Sequence, residues 1–498
     1  MIKRIAQAWA FAAILLLPNY IDLTSSAGDA RMRSPMPLTR IALAHIADMA
    51  IVIVIFAALM ALLRRLAAWP MIRWVLLALF PVLLFIRNLD VIPFAVPWPA
   101  ILAASLLWWS LLVLLLLRAP AAAQKLRIAG STLLAGFVVF ALTMTWQLVR
   151  ATLWRPGPQS FTSSLPPVSA RKLRLIWIVF DELSYKYTFE SRDRTLHLPN
   201  FDRLRNESTL YTQMIPIAYR TTRVIPSLLL GRAVTDVAYT ASNGYLVQIG
   251  EDSHWIPFDA HNSLFGVAQK RGLTTSIVGW YVAYCPIFTG IANDCYWGNE
   301  DAQDRGPTLQ SASFTENLWF PLRIMAEQAV APRRAWTDDA DWNSIGHIES
   351  VQDVQQHALQ ALSTSNADII YLHLPAPHPV AFWDRHTGKF ALGGSYLDSL
   401  DYSDRLLGQM LGILSAQPRW ANTMLIVQGD HSWRTQMWRP LPGWSAEDER
   451  ISHGGDWDPR PLLMIHAPGQ KGAKTIATPT SLMYVHDAVA AEVGDLTK

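Results

Sequence analysis

The chain has 498 residues, 51% hydrophobic and only 16% charged, a balance too apolar for a protein that is soluble throughout. Its formal net charge of +3 is small for that length and its basic residues form no long runs, which excludes a nucleic-acid groove and leaves no nucleic acid among the expected partners. Two cysteines, Cys285 and Cys295, exclude a disulfide-rich scaffold and any cysteine-cluster metal site.

The apolar mass lies in the first third. Segments 5–21, 41–63, 74–86, 98–117 and 128–149 each approach the roughly 20 residues needed to cross a hydrocarbon core, which predicts five transmembrane helices over 1–150. Segment 74–86 lies between Arg73 and Arg87 and is short, so that helix must draw on flanking residues. Lys3 and Arg4 before the first segment imitate a signal peptide. Asn19, Tyr20 and Ile21 offer no small-residue cleavage site, which favours a retained helix. His45 and Asp48, one turn apart in the second span, are costly in lipid; near the start of the span, they are expected to face neighbouring helices or headgroups.

In a five-span arrangement Lys3, Arg4, Arg64, Arg65, Arg73, Arg118, Lys125 and Arg127 fall on one side, and Arg31, Arg33, Arg40 and Arg87 on the other. The excess puts the N-terminus in the cytoplasm and everything after the fifth span on the outer face. There a Cys285–Cys295 disulfide can persist, two unpaired thiols being the alternative. The prolines and serines of 151–171 read as a juxtamembrane linker.

Beyond the linker, 172–498 is long enough to bury a large core. Runs at 173–180, 275–278, 369–372, 424–427 and 462–465 predict strands; 201–206, 264–271 and 399–414 have helical patterns. Strands separated by helices predict an α/β domain with a largely parallel sheet.

In such sheets the ligand crevice lies beyond the carboxyl ends of the strands. One strand runs into Asp181 and Glu182, another into Gly429, Asp430 and His431, and a third into the stretch from His373 to His378. Singly, these are ordinary helix caps and surface histidines. Their common placement makes them a candidate site, and Asp181, Asp430 and His431 form the oxygen and nitrogen set that suits zinc or manganese. Thr221 and Thr222 precede an apolar helical run closed by Gly231. They read as N-caps with Gly231 as C-cap, yet a hydroxyl at a helix N-terminus also stands where an anion is stabilised, and metal binding would make it nucleophilic.

Taken in order, these residues resemble the sulfatase and alkaline-phosphatase superfamily across 173–470. The resemblance rests on the strand ending Val179 to Leu183, the stretch 198–204, the block from Thr221 to Gly231 and Arg232, Pro377 to Pro379, the stretch 400–408, Gly429 to His431, and His453 with Gly454 before Pro461 and Leu462. It implies an alkaline-phosphatase-like α/β domain behind the helices. Sulfatases of this kind carry a cysteine or serine, converted to formylglycine, where this chain has Thr221. Threonine cannot undergo that conversion, which argues against conventional sulfate-ester hydrolysis.

The threonine and the preceding helices look like the bacterial phosphoethanolamine transferases and lipoteichoic acid synthases. That similarity implies a covalent two-step transfer, in which Thr221 attacks the phosphorus of a phospholipid donor, releases diacylglycerol and passes the headgroup to an envelope glycan or lipid. It also implies one divalent ion, zinc or manganese, held by Asp181, Thr221, Asp430 and His431, with Glu182 as a further candidate ligand and His378 and His453 holding substrate oxygens or moving protons. For Asp404, within a predicted helix, a structural role is expected. The implied location is the plasma (inner) membrane, multi-pass, with the C-terminal domain on the periplasmic face. Two departures stand out: only one cysteine pair is present, and 232–360, with its acidic cluster at 338–342, has no counterpart and is the expected seat of acceptor recognition. The competing readings are a membrane-bound hydrolase of phosphate or sulfate esters and a catalytically silent scaffold.

Overall fold

The computed structural model describes residues 2–24, 38–88, 98–153, 158–163, 173–240, 244–251, 254–298, 314–330, 339–441 and 443–496. Arg31 and Arg33 of the charge argument and Asp338 of the acidic cluster lie outside the described residues, as do the side chains of 339–342. The chain forms two units. One comprises Met1–Arg31, Met36–Arg155 and Pro307–Thr337; the other comprises Met32–Pro35, Pro156–Gly306 and Asp338–Lys498.

The first unit is helical: α1 Ile2–Thr24, α2 Leu38–Leu63, α3 Trp69–Arg87, α4 Trp98–Arg118, α5 Pro120–Gly136 and α6 Val138–Leu153. Among the described residues, four stretches are long and apolar enough to cross a membrane: Thr39–Leu63, Trp69–Arg87, Trp98–Arg118 and Pro120–Leu153. The sequence predicted five, and α1 is the one that does not meet the standard. It packs against α2, α5 and α6 and buries Ala8, Ala10, Ala12, Ala13, Leu16 and Tyr20, so its inner face is built from small residues that admit close neighbours rather than from lipid-facing leucines. It also contains Pro18 and a non-helical Tyr20. By contrast α2 exposes Val54, Ile55, Leu59 and Leu62, and α4 exposes Leu106, Leu107, Val113 and Leu114, the reverse of a soluble helix.

α3 draws on the residues before Trp74, as its short apolar run required, and takes Arg73 into its body. His45 faces its neighbours, stacking on Tyr20 at 4.4 Å between ring centroids, with Nδ1 3.5 Å from Asp48 Oδ2. Helix Phe314–Val330, far along the chain, packs against α2.

The second unit is built on a sheet whose nine strands among the described residues are β1 Ser160–Thr162, β2 Arg174–Asp181, β3 Thr209–Tyr211, β4 Thr275–Gly279, β5 Asp294–Trp297, β6 Ile369–Pro377, β7 Thr423–Gly429, β8 Leu463–His466 and β9 Lys474–Ile476. Their order is β1-β5-β4-β6-β2-β7-β8-β3-β9. The five from β5 to β7 are mutually parallel; β1, on one side, and β8, on the other, pair antiparallel to that core. Residues 160–162, inside the stretch that reads as a linker, thus supply an edge strand.

Central strand β2 is buried along its whole length, and its alternation divides the core between the faces. Ile176, Ile178 and Phe180 pack with Val354 and Leu362 of helix Asp339–Thr364 and Leu407 and Leu411 of helix Tyr396–Ser415. Leu175, Trp177 and Val179 pack with helix Thr221–Leu230, Phe265 of helix Leu264–Lys270 and Val489 of helix Tyr484–Asp495. Cys285 and Cys295 are bonded, joining the turn Tyr284–Ile287 to β5.

Asp404 has the structural role expected of it. Its carboxylate accepts from the backbone N–H of Asn200 and Phe201 at 3.0 and 2.8 Å, capping helix Pro199–Asn206. Gly408 lets the two helices meet, because a Cβ there would stand 2.6 Å from the Asn200 side chain.

Candidate active site

Register brings the chemistry together. Phe180 of β2 pairs with Gly429 of β7, and Asp181 with Pro377 of β6, so the chain delivers Asp181, Asp430 and His378 to one edge of the sheet. Gly429 permits the turn, since a Cβ there would lie 2.4 Å from the Leu183 carbonyl oxygen. Helix Thr221–Leu230 starts beside them. Arg220 is its N-cap and Thr221 its first residue, so Thr221 does not cap, whereas Gly231 closes the helix in the left-handed conformation (φ 65°) as expected. The Thr221 hydroxyl turns into the site, donating toward Asp181 Oδ2 at 3.4 Å and lying 3.3 Å from His431 Nε2.

The neighbours of these groups leave lone pairs pointing inward. Asp430 Oδ1 accepts from the backbone N–H of Glu182 and His431 at 3.0 and 2.8 Å, while its Oδ2 has no hydrogen-bond partner. His431 Nδ1 lies 3.1 Å from the Ser432 carbonyl, which can only accept; Nε2 therefore carries a lone pair, 3.2 Å from Asp430 Oδ2 and 3.8 Å from Asp181 Oδ1. Asp181 Oδ1 is also buried without a hydrogen bond. His373, on β6, stands beside them: Nδ1 is 2.9 Å from the Tyr284 hydroxyl, Nε2 is buried without a hydrogen bond, and a ligand atom of this ring lies within 4.8 Å of carboxylate oxygens of Asp181 and Asp430. Buried carboxylate oxygens and an imidazole nitrogen that converge with the Thr221 hydroxyl as their shared donor are mutually repulsive, and a divalent cation is the group that resolves them. The residues present therefore fit one.

Glu182 takes a different course from Asp181. At a left-handed φ of 62° its carboxylate accepts from Arg434 Nε at 2.6 Å and from Trp438 Nε1 at 3.0 Å. His378 Nε2 lies 3.8 Å from Glu182 and 3.4 Å from Arg434 Nη2, and Asp181, Glu182 and His378 form a second group of potential ligand atoms within 4.8 Å. Beneath it, His347 of helix Asp339–Thr364 lies 3.3 Å from the His378 carbonyl. His453 is exposed, with a left-handed φ of 51°, and is not among the side chains in contact around Thr221.

Burial dominates the electrostatics. It raises the Asp181 carboxyl well above its ordinary range, helped by the charges of Asp430 and Glu182, and it raises Asp430. It lowers His373 to about 4 and His431 to about 3, and with the nearby Arg434 charge it holds His378 well below the usual histidine range. All three imidazoles are neutral near pH 7, the form in which nitrogen binds a metal or accepts a proton.

His373 and Arg434 are the additions that sequence reasoning did not assign. His373 stood in the strand before His378, but nothing in its spacing marks a place beside the carboxylates. Arg434 follows His431 by three positions in a short loop without periodicity, and only the fold shows that it answers Glu182.

The sulfatase family profile matches residues 174–497. No curated protein sequence matches the chain. Similar solved structures include the phosphonate monoester hydrolase of Agrobacterium radiobacter (12% identity, TM-score 0.39, covering 65% of this chain and 74% of that one). A sulfatase from a Pseudoalteromonas species gives 13% identity and a TM-score of 0.43, with 65% and 68% covered. An alkaline-phosphatase-superfamily protein of Vibrio parahaemolyticus gives 13% and 0.38, with 68% and 70% covered.

Proposed function

Because the chain belongs to the sulfatase family and is a sulfatase-like enzyme, we propose that it uses this site as a membrane-anchored phosphoryl-headgroup transferase, moving phosphoethanolamine or phosphoglycerol from a phospholipid to an envelope glycan or lipid. One observation carries the reading: the hydroxyl at the nucleophile position belongs to a threonine, Thr221, turned toward Asp181 and His431 at a helix N-terminus. A threonine has no route to formylglycine, while its oxygen can form a stable phosphoester.

Asp181, Asp430 and His431, with Thr221 itself, would hold the divalent ion, and His373 and Glu182 are next to them. Zinc or manganese would supply charge neutralisation at the phosphoryl oxygens and lower the pKa of the threonine hydroxyl. The chain's own residues do the rest. Thr221 Oγ1 forms a bond to phosphorus as the bond from phosphorus to the diacylglycerol oxygen breaks, and the proton lost by Thr221 ends on the departing oxygen. Asp181 Oδ2, toward which the hydroxyl donates, would receive that proton in passing. Arg434, held by Glu182, places a fixed positive charge at the rim. In the second step the acceptor hydroxyl attacks the phosphothreonine, its proton passes by way of neutral His378, and Thr221 is regenerated. His453 joins only where substrate reaches it at the exposed mouth.

In this proposal α1 is a fifth, protein-facing span; its 23 residues give about 35 Å of helix, enough to cross. The N-terminus is then cytoplasmic and the α/β unit periplasmic, holding 172–498 apart from the Phe314–Val330 helix together with the edge strand at 160–162, and acceptor recognition is assigned to 232–360. A reporter after Lys498 that proves cytoplasmic overturns this topology. The second reading, favoured by the family match itself, is an ester hydrolase in which water takes the place of the acceptor.

The test uses detergent-purified protein with fluorescent phosphatidylethanolamine and phosphatidylglycerol. Diacylglycerol release by wild type and not by Thr221→Ala, with a phosphate trapped on Thr221 by mass spectrometry, is the expected result. Sulfate release from an aryl sulfate with no release from either lipid overturns it.

A further inference from the structure

The helical unit contains a cavity of about 360 Å³ walled by α1, α2, α3 and α5, and four arginines line it: Arg4, Arg64, Arg73 and Arg127. No acidic residue is among the lining residues. The recorded partners of these cations are neutral. Arg127 Nε donates to Gln124 Oε1 at 3.2 Å, and the Arg127 and Arg64 guanidiniums stand 5.8 and 5.6 Å from the Trp74 and Trp69 rings. Arg73 Nε is buried without a hydrogen-bond partner. The rest of the wall is apolar, with Phe56, Leu77, Phe80 and Leu134, apart from Gln7 and Ser131, which bond to each other at 2.7 Å.

Arginines gathered at one end of a helical bundle are ordinarily read as cations reaching for headgroups in general. Arg65, Arg118 and Lys125 at the same end fit that description, being exposed. Arg64, Arg73 and Arg127 do not: they are partly buried around one half-open cavity that continues into an apolar wall. Converging like charges in a low-dielectric setting repel unless an anion joins them, and the apolar wall asks that anion to carry hydrocarbon.

We propose that this cavity binds one anionic phospholipid, its phosphate held by Arg64, Arg73 and Arg127 with Arg4 at the mouth, and its acyl chains along Phe56, Phe80 and Leu134. Arg127 precedes Leu153 by 26 positions of the stretch Pro120–Leu153, about 40 Å of helix, so the lipid belongs to the bilayer face opposite to the end at which the chain leaves the bundle. The inference rests on the helical unit spanning a membrane and not on the chemistry at Thr221. Such a lipid would be a resident ligand that anchors the unit, distinct from a donor.

Native mass spectrometry of the full chain in detergent tests it, with dioleoylphosphatidylglycerol, dioleoylphosphatidylcholine and glycerol phosphate as probes. One phosphatidylglycerol per chain is expected to survive delipidation while phosphatidylcholine does not. Arg64→Gln/Arg73→Gln/Arg127→Gln should reduce its retention roughly tenfold or more, the scale of three lost basic contacts. Arg65→Gln/Arg118→Gln should leave retention unchanged, and Thr221→Ala should too, whichever way the diacylglycerol assay turns out. Equal retention of phosphatidylcholine by wild type overturns the proposal, a result that needs no folded variant. So does displacement by glycerol phosphate at equal concentration, which would mark a soluble-anion site. Loss in the Arg65/Arg118 variant would mark general surface charge, and loss in Thr221→Ala would mark a donor at the catalytic site; either overturns it.

Discussion

The two units gather charge of opposite sign, one at a sheet edge and the other around a cavity. In the α/β unit the buried excess is negative, with Asp181, Glu182 and Asp430 at one sheet edge and Arg434 the single nearby cation among the described residues. In the helical unit the excess around the cavity is positive, with four arginines and no carboxylate among the described lining residues. Each imbalance calls for a counter-charge, because like charges brought together at a protein site repel one another. A cation resolves the first and an anion the second.

The comparison is sharpened first where the imbalance is chemical. Replacing Asp430 with Asn removes one inward carboxylate; headgroup release should fall about 10³-fold, and metal content, measured after dialysis, should fall with it. A variant that keeps its metal and its activity would break the assignment. Next is the compensated pair. Arg434→Met strands Glu182 in the interior, and chemical denaturation should show a loss of about 3 kcal/mol, partly restored by adding Glu182→Gln. If Arg434→Met costs nothing, Glu182 is answered by something else, such as the metal.

His373 gives a smaller effect. His373→Gln is expected to weaken zinc or manganese affinity by about 10- to 100-fold in equilibrium dialysis, and Tyr284→Phe, which removes the hydroxyl at Nδ1, by less. Unchanged affinity in both would remove His373 from the metal's surroundings. The smallest effect comes from a pair in which both signs are present. Glu447 is lowered from 4.5 to about 2, chiefly by its hydrogen bonds with Arg385, so the unfolded state binds the proton more readily. Its contribution is complete above about pH 4.5 and is lost as pH falls toward 2. It is on the order of 1 kcal/mol, given partial exposure, and Glu447→Gln should flatten that part of the acid-denaturation curve.

Much of the site was legible because carboxyl ends of parallel strands are where side chains gather. Residues 173–180 and 424–427 announced themselves as strands by unbroken apolar runs, and their next residues, Asp181 and Asp430, needed only the register to meet. The motif Leu198 to Leu204 and the pair Asp404 and Gly408 were visible as a pattern, but their reason was not: a cap and a close helix crossing are made by residues some 200 positions apart. How the first helix differs from the other spans was not legible, because apolarity by itself does not distinguish a face turned to lipid from one lined with alanines against its neighbours. Helix Phe314–Val330 could not be grouped with the bundle from sequence, since no local pattern records which unit a helix packs on.

By itself, then, the sequence determined the division into an apolar helical third and an α/β remainder and the strands that deliver acids and imidazoles, because these depend on local composition and period. Tertiary structure alone decided that Glu182 turns to Arg434 while Asp181 turns to Thr221, that His373 stands beside the carboxylates, and that four of the arginines on one side of the bundle share a cavity while others do not. Those outcomes depend on register, on left-handed turns and on helix packing, which bring together groups that no spacing along the chain places side by side.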